Sequence, residues 1–285
     1  MDKIFYGYLL VSDMDGTLLN DSGKLSDKNR KAIEYFINKG GNFTLATGRT
    51  IASAGRFLEE IEVTLPVILY NGTKIYDYKN EKVIYEEFIE EDRKDIITLI
   101  KNNYPTLGIE VYSEESIYIY SSCKYTDRFS KLGYDVIYDL PKEVWDKKWT
   151  KALIVGEENE IDFLEEKLDN IYGNIIRSGA KYLEIVPNNI SKGKAIEKLV
   201  DIYNINFKKL ITVGDNMNDI EMIKLADYGF CVESGAERTI KSTKFIAPSN
   251  ENNAIEYIIN WIENNLIRNK KENLNSFLER NMTYV

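Results

Sequence analysis

The chain opens on a short apolar run, Tyr8-Leu9-Leu10-Val11-Ser12, that stops at Asp13. An unbroken run of this length predicts a strand buried on both faces. A helix is expected over Asp27 to Asn38. Ser26 caps it, Ala32, Ile33, Phe36 and Ile37 make its apolar stripe, and Gly40 stops it. A second strand runs from Asn42 to Ala46, a second helix from about Thr50 to Ile61, and a third strand from Pro66 to Tyr70. Strands alternating with helices predict parallel βαβ units.

The rhythm changes after about residue 80. Lys82 to Tyr85 reads as a strand and Glu90 to Asn103 as a helix. Ile109 to Tyr112 and Ser116 to Ser121 read as a hairpin around Ser113-Glu114-Glu115. Strand, helix and strand follow at Lys151 to Val155, Ile161 to Ile171 and Tyr182 to Val186. The βα rhythm resumes with a helix over Lys192 to Tyr203, a buried strand Leu210-Ile211-Thr212-Val213, a helix at Asp219 to Leu225 and a strand near Tyr228 to Val232. A last helix starts near Asn252 and reaches toward Arg268. In the polar tail beyond it, Leu274, Phe277 and Leu278 at helical spacing predict a docking extension. The pattern therefore predicts an α/β protein. A discontinuous parallel-sheet body, residues 1–82 and 188–285, is interrupted by an α+β insertion over residues 83–187.

Composition narrows the function more than the fold. With 46 acidic against 37 basic residues and a net charge of −9, general nucleic-acid binding is disfavoured, because a phosphate backbone asks for clustered Lys and Arg. No run approaches the roughly 18 apolar residues of a membrane span. Cys123 and Cys231 stand far apart in no metal-like spacing, and the apolar N-terminal run reads as a strand rather than a signal peptide. Reduced thiols in a cytoplasmic protein are the expectation. The chain has no histidine. That excludes Ser-His-Asp and Cys-His catalysis and His-ligated zinc, and leaves acid–base work to carboxylates, Lys, Tyr or Cys.

Four polar clusters fall where predicted strands end, the place where open α/β sheets bind ligands. In Asp13-Met14-Asp15-Gly16-Thr17, two carboxylates stand two residues apart past a buried strand, and Gly16 permits the turn that would aim both at one point. Beside a divalent cation the first can be a nucleophile and the second a proton shuttle. An acidic turn is the plainer reading. Thr47-Gly48-Arg49 supplies a hydroxyl, backbone N–H groups and a helix start, which suit a phosphate as well as they suit an ordinary cap. In Ser191-Lys192-Gly193-Lys194, Lys192 is placed to neutralise phosphate charge, although a solvated lysine is commoner. Gly214-Asp215-Asn216-Met217-Asn218-Asp219 packs two carboxylates and two amides into five residues, more than a helix cap requires. Asp215 could share a Mg2+ ion with Asp13, since Mg2+ prefers hard oxygen ligands. Together these are the parts of phosphoryl transfer. No GxxxxGK[ST] loop accompanies them, which disfavours a nucleotide-driven enzyme.

In this order and spacing, DMDGTLL at 13–19, TGR at 47–49, NG at 71–72, SKGKA at 191–195 and GDNMND at 214–219 resemble the haloacid dehalogenase (HAD) superfamily, and within it the Cof-type phosphatases with a type IIB cap. The resemblance covers about residues 7–266. It implies a Rossmann-like core with a cap inserted after the third core strand. It also implies that Asp13 forms an aspartyl-phosphate and that Asp15 serves as general acid and then base. Mg2+ would be held by the Asp13 carboxylate, the Asp15 carbonyl and Asp215. Thr47, Lys192, Asn218 and the amides of Met14 and Gly48 would hold the phosphoryl oxygens, and Asp219 would brace the metal site. Val232-Glu233-Ser234-Gly235-Ala236 departs from the small-residue Gly-Asn-Ala segment of many relatives.

The expected activity is therefore Mg2+-dependent hydrolysis of small phosphorylated metabolites, sugar phosphates foremost. A phosphomutase of the same superfamily and a non-catalytic phospho-ligand-binding regulator are the alternatives. No nucleic-acid or membrane partner is expected, and the chain would act as a monomer or weak homo-oligomer. In the cap, Lys151, Arg177 and Lys181 could meet a second anionic group, but solvated surface charges are the favoured reading.

Overall fold

The computed structural model describes residues 3–128, 136–172 and 175–268. Its strands in chain order are β1 (Tyr8–Ser12), β2 (Asn42–Leu45), β3 (Val67–Leu69), β4 (Lys74–Asp77), β5 (Lys82–Glu86), β6 (Gly108–Ser113) and β7 (Ser116–Ser121). They continue as β8 (Val136–Ile137), β9 (Trp149–Val155), β10 (Ile175–Gly179), β11 (Tyr182–Ile185), β12 (Lys209–Gly214), β13 (Tyr228–Val232) and β14 (Phe245–Ala247).

The core is a five-stranded sheet in the order β14-β13-β12-β1-β2, with every pairing parallel. Every residue of β1 is buried, because the sheet is covered on both faces. Leu9 and Val11 face Ala195, Ile196 and Leu199 of the helix Lys192–Tyr203. Leu10 faces the other way, into a cluster with Phe36 of the helix Asp27–Asn38 and Ile255 and Ile258 of the helix Ala254–Ile262. This is the physical reason for the unbroken apolar run. Complete burial of each such side chain stabilises the fold by about 1.5–3 kcal/mol. The helix starts are specified locally. The Ser26 hydroxyl accepts from the Asn29 amide at 3.1 Å, and the Ser191 hydroxyl accepts from the Lys194 amide at 3.2 Å.

The structure departs from the sequence pattern in several places. The second helix spans only Ile51–Gly55, and three-residue turns such as Phe57 N–H to Ala54 O carry the chain onward. Gly55, a weak helix former, sits where the helix stops. β3 does not continue the core sheet as a full strand. It meets it through one bridge, Ala46 to Ile68, and pairs antiparallel with β4 in a separate three-stranded sheet β3-β4-β5. β5, which straddles residue 83, pairs with β4. The last helix, Ala254–Ile262, runs into wider turns over Glu263–Arg268. The tail with Leu274, Phe277 and Leu278 lies outside the described residues.

The cap is built on a six-stranded sheet, β10-β11-β9-β6-β7-β8. Its pairings are antiparallel except β7 with β8. Alternation gives it two unlike faces. Ile109, Val111, Ala152, Ile154, Leu183 and Ile185 pack on the helices Glu91–Asn103 and Glu158–Tyr172, against Ile96, Ile97, Ile100, Ile161 and Leu164. The intervening positions look toward the core. The hairpin between β6 and β7 turns through Glu114 and Glu115, both left-handed at φ 50° and 62°. The Glu115 carboxylate docks this tip on the core, accepting from the Tyr70 hydroxyl at 2.7 Å and pairing with Lys74. No helix among the described residues is long and apolar enough to cross a membrane.

Candidate active site

The carboxyl ends of β1, β2 and β12 bring the sequence clusters to one place. The Asp13 amide donates to Val213 O at 2.9 Å, so the β1–β12 ladder itself fixes the backbone of Asp13. The chain then turns at Gly16 with φ +76°. A Cβ there would lie 2.7 Å from the Asp215 carboxylate, so only glycine allows the two acidic segments to approach. Thr17 closes the contact by donating from its hydroxyl to Asp215 Oδ1 at 2.9 Å. Behind Asp215, the amide of Ala236 donates to its carbonyl at 2.7 Å. The segment that departs from the family pattern thus still supports the acidic loop.

Carboxylate oxygens of Asp13, Asp215 and Asp219 lie within 4.8 Å of one another. Lys192, wholly buried, stands between two of them, with Nζ 2.6 Å from Asp13 Oδ1 and 2.6 Å from Asp219 Oδ1. The other Asp219 oxygen accepts the amides of Asp215 and Asn216, each at 3.0 Å. Asp219 thus commits both oxygens to protein donors, while Asp13 and Asp215 keep oxygens for a ligand. Three carboxylates face one ammonium. Burial, and then repulsion from Asp219, push Asp215 up to about 6. Burial also drives Asp13 well above the usual carboxylate range, against the pull of Lys192. Burial alone would lower the Lys192 ammonium, but Asp13 and Asp219 outweigh it and raise its pKa. An all-oxygen donor set short of positive charge fits a hard divalent cation.

The remaining predicted residues lie around this cluster. Thr47 is buried and its hydroxyl accepts the Arg49 amide at 3.2 Å. Gly48 lies against the Asn71 amide group, where a Cβ would come within 3.0 Å of Nδ2. The Asn218 side-chain nitrogen donates to Asn71 Oδ1 at 3.0 Å, and Asn218 Oδ1 and Asn71 Nδ2 are buried without a protein partner. Met14 is buried. The Asp15 carboxylate stands apart from the acidic cluster. It is more than half exposed and bound on both oxygens by Arg49, at 2.7 and 2.6 Å, with the guanidinium 4.4 Å from the Phe57 ring centroid.

A cavity of about 580 Å³ opens between this cluster and the cap. Residues 10–259 match the haloacid dehalogenase-like hydrolase family. The chain belongs to that family. This HAD-like protein is 26% identical over 259 residues to the 5-amino-6-(5-phospho-D-ribitylamino)uracil phosphatase YcsE of Bacillus subtilis, covering 89% of this chain and 95% of that one. A solved structure from Thermotoga maritima aligns with a TM-score of 0.72 at 29% identity, over 90% of this chain and 97% of that one. A structure described as a HAD subclass IIB sugar phosphatase aligns with a TM-score of 0.76 at 19% identity, a likeness of fold over 89% of this chain and 98% of that one. The HAD-like protein is an enzyme of the phosphatase class.

Sequence reasoning left several residues of this site without a role. Thr17 and Asn71 lay inside noted motifs, but their partners are 198 and 147 residues away. The cap lysine is a correction. Lys151 is not a solvated surface charge. It is buried, lines the cavity, and donates to Glu184 Oε2 at 3.0 Å and to Gly48 O at 3.2 Å. Arg177 is also buried, but it pairs with Asp162 and Glu165 and does not line the cavity. Lys181 donates to the Tyr125 hydroxyl at 2.9 Å. The signal for Lys151 was present as the one charged residue in the run Trp149-Thr150-Lys151-Ala152-Leu153-Ile154-Val155.

Proposed function

We propose that this phosphatase is Mg2+-dependent and hydrolyses small phosphate monoesters, sugar phosphates foremost, through an aspartyl-phosphate on Asp13. The observation that carries the reading is the shared Lys192 ammonium between Asp13 and Asp219, with Asp215 beside them. The Asp13 and Asp215 carboxylates, with the Asp15 carbonyl, would hold the Mg2+ ion. Bound there, it supplies positive charge against the repulsion between an attacking carboxylate and a phosphate dianion.

The chain's own residues do the rest. Asp13 is held in place by the β1–β12 ladder and by Lys192, and it attacks phosphorus from the side opposite the ester oxygen. Lys192 neutralises the nucleophile's neighbours and the transferring phosphoryl oxygens. The Thr47 hydroxyl, the amides of Met14 and Gly48, and the Asn218 side chain bind those oxygens. The unpartnered side-chain nitrogen of Asn71, a donor, supports such a ligand. Asp15 gives a proton to the leaving alcohol and later takes one from the attacking water. Its present partner, Arg49, is the group it exchanges for substrate. Asp219 holds Lys192 and the backbone of the β12 turn.

The same reading takes residues 1–82 and 188–285 as the catalytic body and 83–187 as the cap. Both cysteines are free thiols, which supports a reducing, cytoplasmic setting. The test is hydrolysis of an aryl phosphate with Mg2+ by the wild type and by Asp13→Asn. Activity is expected to vanish in the variant, and turnover that survives the change rejects Asp13 as nucleophile.

A further inference from the structure

The cavity-facing side of the cap sheet is charged where an apolar wall would suffice. Glu110, Lys151 and Glu184 are buried on it. Burying an ion costs several kcal/mol unless it is paired. Each is paired within the cap: Glu110 with Arg128 at 2.5 and 2.7 Å, and Lys151 with Glu184 at 3.0 Å. Tyr112 adds its hydroxyl to Glu110 at 2.8 Å.

Lys151 alone of these reaches the core, where its Nζ donates to the carbonyl of Gly48 beside Thr47. An ammonium has three N–H donors. Among the described residues, Gly48 and Glu184 accept two of them. Glu184 accepts through Oε2, which leaves Oε1 to the cavity it lines. We propose that Lys151 and Glu184 are the specificity-determining pair of this enzyme, a spare donor and a spare acceptor side by side that a vicinal diol next to the phosphorylated carbon satisfies. The pair is neutral as a unit. It therefore selects hydroxyl-bearing leaving groups over apolar ones. The Gly48 contact places this selection against the phosphate-binding turn, so the diol is read only with the cap seated.

The proposal rests on the phosphatase reading, and the experiment separates the two. Glycerol 1-phosphate and propyl phosphate share a carbon skeleton and differ only in the diol. With the full chain and Mg2+, the wild type is expected to favour glycerol 1-phosphate at least tenfold in kcat/KM. The double variant Lys151→Met with Glu184→Gln removes both charges together and leaves neither buried ion unpaired. Its preference is expected to fall at least tenfold, chiefly through a higher KM for glycerol 1-phosphate. A wild-type ratio near unity overturns the proposal without recourse to any variant. An unchanged ratio in the double variant, or an equal loss on both substrates, also overturns it, the latter by showing a structural role. Hydrolysis of neither ester by a wild type that still turns over an aryl phosphate overturns this proposal and leaves the phosphatase reading standing, whereas loss of the aryl phosphate activity as well removes both.

Discussion

The two walls of the cleft handle charge in opposite ways. On the core wall, Asp13, Asp215 and Asp219 crowd around a single ammonium, and burial, with repulsion from Asp219, holds Asp215 near 6. On the cap wall, Glu110 and Glu184 each have a cation of their own. A wall left short of positive charge is built to receive something, whereas a wall with its charges matched can present direction without net attraction. On the proposed reading, the contrast separates the chemistry from the choice of substrate, with the Lys151 to Gly48 contact as the link between the walls.

The largest disturbance is expected from Lys192→Met. It leaves Asp13 and Asp219 facing each other in the interior, and breaking a buried pair of this kind costs roughly 3–5 kcal/mol. Denaturant unfolding should show that loss. Turnover of an aryl phosphate should drop by about a hundredfold or more, as befits a group aimed at developing charge. A stable, active Lys192→Met protein would mean that the core wall is not charge-starved.

Mg2+ and pH probe the same imbalance more gently. The folded-state value of Asp215 is raised, so the native protein binds a proton there that the unfolded chain releases. Without metal, this group's contribution favours the folded state less as pH rises from about 4 through 6. A ligand carboxylate must be deprotonated, so Mg2+ binding strengthens over the same range. The rise in melting temperature on adding Mg2+ should accordingly be larger at pH 8 than at pH 5. Equal shifts at the two values would separate Asp215 from the cation.

The smallest effect belongs to the seam between the walls. Glu115→Ala removes the acceptor of Tyr70 and a partner of Lys74. Glu115 is partly exposed, and Lys74 keeps Glu86 at 2.8 Å. The expected cost is therefore below about 1 kcal/mol. A looser cap should show as a few-fold rise in KM with kcat little changed, read from initial rates.

The core wall was largely legible in the sequence because its residues follow apolar runs directly. Once β1 and β12 are recognised as neighbouring parallel strands, Asp13 and Asp215 must meet at their ends. The Ser26 cap was legible for the same local reason. What escaped depends on partners distant in the chain. β3 has the composition of a core strand, and nothing in its own residues says that it will pair with β4 instead. Lys151 looks like any solvated lysine until Glu184, on the strand beside it, is folded against it. The exposure of Asp15 follows from Arg49, 34 residues on, which no spacing rule connects to it.

Asp219 spends one oxygen on Lys192 and the other on two backbone amides. An asparagine there could serve the amides through its carbonyl, but it would then turn an NH2 toward the lysine. Across descendants of this gene, positions 192 and 219 should therefore change together or stay as they are, and a lineage that has altered only one of them should already have given up turnover.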